Sequence, residues 1–321
     1  MQKNEVILKG LIYQSALEFL WDEGFVGVPY PGITNVTGSC EAVSNVFSLK
    51  EEQFQTLSQT VQLQLERDII QNGLPRMFSS NRSYRKDNKN WTSDGRHLND
   101  FELLETEALD TDLEWLLDHS AKLLEYIFIN VLNVSSKYGL LSPEQHHKLY
   151  TYYEKGFRRI TYTEGLGLLC EINKTQYEWG IDLNSALEKQ LVDHFDQNLM
   201  ITHYPEKIKF FNMMLTRNTV GTDREVVECV DVILKHSGES IGGSVREFEH
   251  DIIKKRLQEG TMVAQLKELK ASHDGKPDEV DTMFDEYLQL FVNNPVKRSG
   301  LGLGFGRVLQ FILGSEIIKP F

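Results

Sequence analysis

The chain has 321 residues, 40% of them hydrophobic and 25% charged, with 34 Lys and Arg against 47 Asp and Glu, for a formal charge of −13. This is the composition of a soluble protein with a well-buried core, and the acidic balance argues against a broad polyanion-binding surface, which needs clustered cations to release counterions. No run approaches the roughly 20 apolar residues of a membrane span, no basic-then-apolar leader opens the chain, and Cys40, Cys170 and Cys229 lack CxxC spacing. A membrane anchor, a disulfide framework and a structural zinc site are thus not expected, and the cytoplasm is the expected compartment.

In chain order, residues 9–24 have helical apolar spacing and FVGVPYPGIT reads as a strand broken at Pro31. Residues 51–71 read as a Gln-rich helix. The turn formers and cations of NRSYRKDNKNWTSDGRH, 81–97, predict a long loop between two strands, suited to a flap over an anionic ligand. Residues 101–109 alternate as a strand, and helices are predicted at 111–133, 142–155 and 185–198. Buried strands are expected near 208–216 and 227–234, helices over 246–270 and 276–291, and a final helix at about 304–315. Helices around strands without regular βαβ alternation point to an α+β fold with an antiparallel sheet.

Two glycine-rich segments, GESIGGSVRE at 238–247 and SGLGLGFGR at 299–307, carry Arg246 and Arg307 beside backbone without side chains. A flat base or a phosphate can approach such backbone closely, and a guanidinium fork holds carboxylate or phosphate oxygens.

Three stretches together resemble class II aminoacyl-tRNA synthetases: EFLWDEGFVGVPYP at 18–31, RHLNDFELLETE at 96–107 and GLGLGFGR at 300–307 match the three signatures of that family. FRRITYTEGLGLL (157–169), WGIDLNSALEKQL (179–191), ITHYPEKIKFF (201–211) and GESIGGSVREFEHD (238–251) resemble its asparaginyl branch, in the same order. The resemblance implies one class II synthetase-like catalytic domain over 1–321, an antiparallel sheet flanked by helices, and a homodimer formed through the first signature. It further implies that ATP and Mg²⁺ are used to make an acyl-adenylate.

Carried over residue by residue, the resemblance assigns Arg82 to the arginine bridging the reacting carboxylate and the α-phosphate, and Phe101 to the aromatic that stacks on adenine. Arg96 and His97 meet the outer phosphates, Arg307 the γ-phosphate, and Asp231 and Glu239 the magnesium. TGSCEAVSNVF at 37–47 resembles the loop closing over the amino acid, with Glu41 on its α-ammonium. In LSQTVQLQLE at 57–66, Thr60 and Gln62 join the amino-acid set. Leu65 stands where aspartyl relatives place a lysine, so Glu66 and Arg246 are expected to hold an amide: Glu66 accepting its NH₂, Arg246 donating to its oxygen.

Several positions depart from the family. Tyr84 stands where the FRxE-type motif ends in an acid, Gly306 where a glutamate precedes the arginine, and Asn212 and Met214 where an aromatic and a base are usual. The matched region begins almost at Met1, leaving no room for an anticodon-binding barrel, so tRNA is not the expected partner. The reading is therefore an ATP-dependent, AMP-forming ligase that activates asparagine without tRNA and passes it to a small amine. The alternatives are an ammonia-dependent asparagine synthetase acting on aspartate, dehydration of the side-chain amide to a nitrile, a regulatory or accessory protein, and a truncated synthetase that charges an RNA.

Overall fold

The structure, a computed structural model, describes residues 3–35, 43–49, 54–86, 98–216, 222–273, 275–318 and 321. Glu41, Arg96 and His97 lie outside the described residues.

The helices are α1 (Lys3–Asp22), α2 (Gln62–Asn72), α3 (Leu113–Tyr138), α4 (Pro143–Lys155), α5 (Tyr162–Asn173), α6 (Ser185–Phe195), α7 (His250–Glu259), α8 (Thr261–His273), α9 (Asp285–Asn293) and α10 (Phe305–Leu313). The strands are β1 (Val26–Gly27), β2 (Ile33–Thr34), β3 (Ser48–Leu49), β4 (Gln55–Leu57), β5 (Arg76–Tyr84), β6 (Asp100–Leu109), β7 (Phe157–Thr161), β8 (Asn198–Thr202), β9 (Cys229–Leu234), β10 (Gly238–Arg246) and β11 (Arg298–Gly304). Eight of them form one sheet in the order β1-β5-β6-β11-β10-β9-β8-β7, antiparallel except for the outer pairs β1/β5 and β7/β8. The expected α+β antiparallel sheet flanked by helices is what the chain forms.

Local chemistry sets the ends of these elements. Asp112 caps α3 by accepting from the Trp115 amide at 2.9 Å, and Gly139 ends it at φ 61°. Ser142 with Gln145, and Thr161 with Glu164, form reciprocal capping boxes on α4 and α5. Three expectations change in detail. The helix expected at 51–71 begins only at Gln62, because 55–57 pairs as β4. The strand expected at 208–216 is instead a 3₁₀ turn at Glu206–Ile208 followed by single bridges at Met213 and Leu215. The helix expected over 246–270 is two helices meeting at Gly260, where an added Cβ would lie 2.9 Å from the Arg256 carbonyl.

Strand alternation divides the sheet into two faces. Leu104, Ala108, Val230, Val232, Ile241, Val245, Leu301 and Leu303 face α1, α3 and α10 and build the main core with Leu8, Ile12, Leu123, Ile127 and Leu309. The other face carries polar residues and glycines at its centre. There α2 and α7–α9 pack around Leu65, Ile69, Phe284 and Tyr287, while α5 and α6 cover its β8–β9 end.

Candidate active site

Glu105 and Glu107 alternate with Leu104, Thr106 and Ala108 on β6, so both carboxylates stand on one face. The ladder pairs Gly302 with Glu105, Gly300 with Glu107, Ser244 with Gly300, Arg246 with Arg298 and Gly242 with Asp231. Four strands thus contribute to a floor that is flat where glycine occupies it. A Cβ on Gly300 would fall 2.1 Å from Glu107 Oε1, so this glycine is required for the strand and the carboxylate to coexist.

One end of the floor is a closed ionic network. Arg246 donates through Nε (2.9 Å) and Nη2 (2.5 Å) to Glu107 Oε1, and through Nη1 to Ser244 Oγ at 2.7 Å. Glu66, with no exposed surface, receives four donors: Gln62 Nε2 at 3.1 Å and Asn212 Nδ2 at 2.7 Å on Oε1, Tyr287 Oη at 2.8 Å and Arg298 Nη2 on Oε2. Burial alone would raise the Glu66 carboxyl, but Arg298 and Arg246, with hydrogen bonds from Arg298 and Tyr287, hold it below its ordinary value. Glu107 goes the other way. Burial outweighs the pull of Arg246, the neighbouring Glu66 charge adds to burial, and its pKa is pushed up to about 7.

The expected direct contact at Glu66 therefore meets a carboxylate whose lone pairs are already engaged. The acceptor left over is Glu107 Oε2, buried and without a hydrogen-bond partner among the described residues. Thr60 and Gln62 are buried beside this network. Thr60 Oγ1 and the Val61 amide both donate to Glu105, so Thr60 fixes a carboxylate from the floor.

Arg82 does not face the floor. Its β6 partner is Glu102, and its guanidinium is paired with Glu102 and Asp100 at 3.2 Å, with 44% of its side chain exposed. Arg82, near the end of β5, and Arg85, just past it, lie three residues apart on opposite faces. Arg85 shares the face of Ser83 and Asn81 and lies 4.6 Å from the centroid of the Phe101 ring. Tyr84-Arg85-Lys86-Asp87 also fits the aromatic-Arg-x-acid order, which removes the departure read at Tyr84. Phe101 is half-buried on the floor. Arg307, in the first turn of α10, donates to the Ser237 carbonyl at 2.7 Å.

At the far end a β-bulge decides the chemistry. The register of β10 against β9 shifts between Glu239 and Ile241, so Glu239 and Gly242, three residues apart, emerge on one face. An ideal Cβ on Gly242 would lie 2.7 Å from Glu239 Oε1 and 3.9 Å from Asp231 Oδ1, so the two carboxylates converge over this glycine. Asp231 Oδ2 is bound to Lys209 Nζ at 2.6 Å. Glu188 of α6 is buried nearby. Its burial, then Glu239 and Asp231, push its carboxyl well up, against the pull of Arg307. Among the described residues no group of three or more His, Cys, Asp or Glu is arranged as a metal cage. A converging carboxylate pair suits Mg²⁺, which takes one or two protein carboxylates and fills its remaining positions with phosphate oxygens and water.

A buried guanidinium–carboxylate slot, a glycine floor with an arginine over an aromatic ring, and a carboxylate pair follow one another across a single antiparallel sheet. The family model described as tRNA synthetases class II (D, K and N) matches residues 1–320. The chain belongs to this class II family. It is 32% identical over 274 residues to an asparagine-tRNA ligase of Picosynechococcus, covering 81% of this chain and 53% of the relative. A second asparagine-tRNA ligase, from Thermococcus kodakarensis, is 30% identical over 313 residues, covering 97% and 66%. Among solved structures, asparaginyl-tRNA synthetase of Pyrococcus horikoshii complexed with asparaginyl-adenylate superposes with a TM-score of 0.78 at 28% identity, covering 98% of this chain and 66% of that one. The chain thus spans between about half and two thirds of the length of these class II relatives. No helix among its described residues is long and apolar enough to cross a membrane.

Family motifs pointed to Phe101, Asp231, Glu239, Arg246 and Arg307. Sequence reasoning passed over Arg85, Glu105, Glu107, Glu188, Lys209 and Arg298. For Glu105 and Glu107 the available signal was two carboxylates at i and i+2 in the half of the strand that alternates with Leu104, Thr106 and Ala108.

Proposed function

We propose that this chain is a single catalytic domain that activates asparagine, or a close amide, with ATP. An α-carboxylate oxygen attacks the α-phosphorus, the bond to the β-phosphate oxygen breaks, and aminoacyl-adenylate and pyrophosphate form. The observation that carries this reading is the slot formed by Arg246 and Glu107. Arg246 donates toward a carbonyl oxygen, and Glu107 Oε2, which lacks a partner, accepts from an amide NH₂. A second carboxylate in that slot would face Glu107 and Glu66, so aspartate is disfavoured.

Arg85 lies between the amino-acid slot and Phe101, suited to hold the α-carboxylate against the α-phosphate while adenine stacks on the ring. Arg307 meets the outer phosphates, joined by Arg96 and His97 from the sequence assignment, and Glu41 and Gln62 meet the α-ammonium. Asp231 and Glu239 would hold magnesium, which would supply charge neutralisation at the phosphates. For the acceptor we propose a small amine rather than tRNA, on the strength of the −13 charge. We also propose a homodimer through α1, β1 and β2, where Trp21 is 57%, Val26 37% and Ile33 51% exposed. Light scattering at micromolar concentration should give twice the chain mass; a monomer mass rejects the dimer.

The test incubates the protein with ATP, Mg²⁺ and each amino acid, without tRNA, with and without ammonium, and identifies products by mass spectrometry. Asparagine-dependent release of pyrophosphate is expected. Turnover only with aspartate and ammonium would replace this reading with asparagine synthesis, a nitrile product would replace it with amide dehydration, and release only upon adding tRNA would reject the small-amine acceptor.

A further inference from the structure

We infer that Lys209 is a resident cation that takes, at Asp231, the place a second divalent ion would otherwise fill, so that nucleotide is met with a single bound metal. The inference rests on the ATP reading above. Lys209 directly follows the Glu206–Ile208 turn, which aims its side chain inward: Nζ is 2.6 Å from Asp231 Oδ2 and 4.0 Å from the centroid of the Tyr204 ring. The pair is nearly closed to solvent, with 18% of the lysine and 9% of the aspartate side chain exposed.

The two oxygens of Asp231 are thereby divided. Oδ2 is committed to a fixed positive charge, while Oδ1 turns toward Glu239 over Gly242. Tyr204 Oη, buried and without a hydrogen-bond partner among the described residues, interacts with the same acids, Asp231, Glu188 and Glu239. Three carboxyl groups and two cations, Lys209 and Arg307, thus surround the position assigned to the outer phosphates. An ammonium needs no dehydration on substrate arrival and cannot leave with pyrophosphate, whereas Mg²⁺ sheds water reluctantly and can depart with it. A lysine serving only to fill space would be replaceable by an apolar side chain of similar volume at little cost, since burying an ion pair is itself expensive.

These two roles give opposite signs in one measurement. Mn²⁺ binding to the free, full-length protein is followed by electron paramagnetic resonance for wild type, K209M and K209R, with urea denaturation to establish that each folds. Removing one positive charge a few ångströms from the carboxylates should tighten Mn²⁺ binding by at least about tenfold or add a second ion per chain, and K209R should behave as wild type. The Mg²⁺ dependence of amino-acid-dependent pyrophosphate exchange should also become steeper in K209M. Unchanged or weaker Mn²⁺ binding by folded K209M overturns the inference, as does K209R behaving like K209M. If K209M does not fold, K209Q carries the same test. Wild-type protein that neither binds ATP nor exchanges pyrophosphate with any amino acid defeats the ATP reading instead, and the Mn²⁺ comparison still decides whether Lys209 holds the place of an ion.

Discussion

The two ends of the glycine floor solve opposite electrostatic problems. At the amino-acid end, Glu66 and Glu107 face Arg246 and Arg298 in a fully buried set whose four side chains are each at most 3% exposed. At the nucleotide end, Asp231, Glu239 and Glu188 outnumber Lys209 and Arg307, and Glu188 resists ionisation. The first end is closed without any ligand, as the proposed discrimination of an amide from a carboxylate would require. The second carries an excess of acid that a metal–polyphosphate complex would complete. Rigidity thus sits where selection is made, and incomplete charge sits where a cofactor and a leaving group must come and go.

The largest test of this contrast is Arg298→Met, which leaves Glu66 buried without its principal cation. Breaking one partner of a buried pair costs about 3–5 kcal/mol, so the urea midpoint should fall sharply, and adding Glu66→Gln should recover most of the loss. A single mutant as stable as wild type would mean the network is not a rigid element. Glu66→Lys, attractive from sequence as a switch toward aspartate, should unfold the chain, because it would place a third cation beside Arg246 and Arg298.

A sharper comparison sets two neighbouring arginines against each other. Arg85→Ala should lower amino-acid-dependent pyrophosphate exchange by about 10²–10³-fold, as loss of one preorganised donor to developing charge does. Arg82→Ala, which loses only exposed pairs, should change stability by less than about 1 kcal/mol and leave exchange intact. Reversal of these outcomes would restore Arg82 as the bridging arginine.

The smallest effect is a pH dependence. The Glu107 carboxyl is raised to about 7, so its contribution to folding is full below its unfolded value and is lost as pH rises through about 7. Asparagine affinity should run the other way, because a proton on Oε2 competes with the amide N–H: binding should tighten roughly tenfold between about pH 6 and 8. Calorimetry on wild type and Glu107→Gln checks this, and a slope that survives in the variant would point to another group.

Part of this arrangement was legible in sequence, where alternation located β6, an apolar run located β9, and the segments 238–247 and 299–307 stood out as glycine-rich without being read as the strands β10 and β11. What escaped has identifiable physical causes. Arg82 and Arg85 lie on opposite faces of one polar strand end, and only the pairing with β6 distinguishes them. Glu239 reaches the same face as Gly242 through a bulge that no periodicity announces. Lys209 and Glu66 acquire their meaning from partners 22 and 232 positions away, Asp231 and Arg298. The Gln-rich stretch before α2 has helical composition but is captured as β4 by pairing with β2 and β3.

The strand β11 lies between β6 and β10 at the middle of the sheet although it comes from residues 298–304. During synthesis β6 and β10 each keep one unpaired edge until residues 298–304 have been made. Glu107 and Arg246 then stand on separate half-sheets. The amino-acid slot and the closed sheet are therefore born in the same step, and a nascent chain stalled before residue 298 is a natural target for chaperones and proteases rather than a partial enzyme.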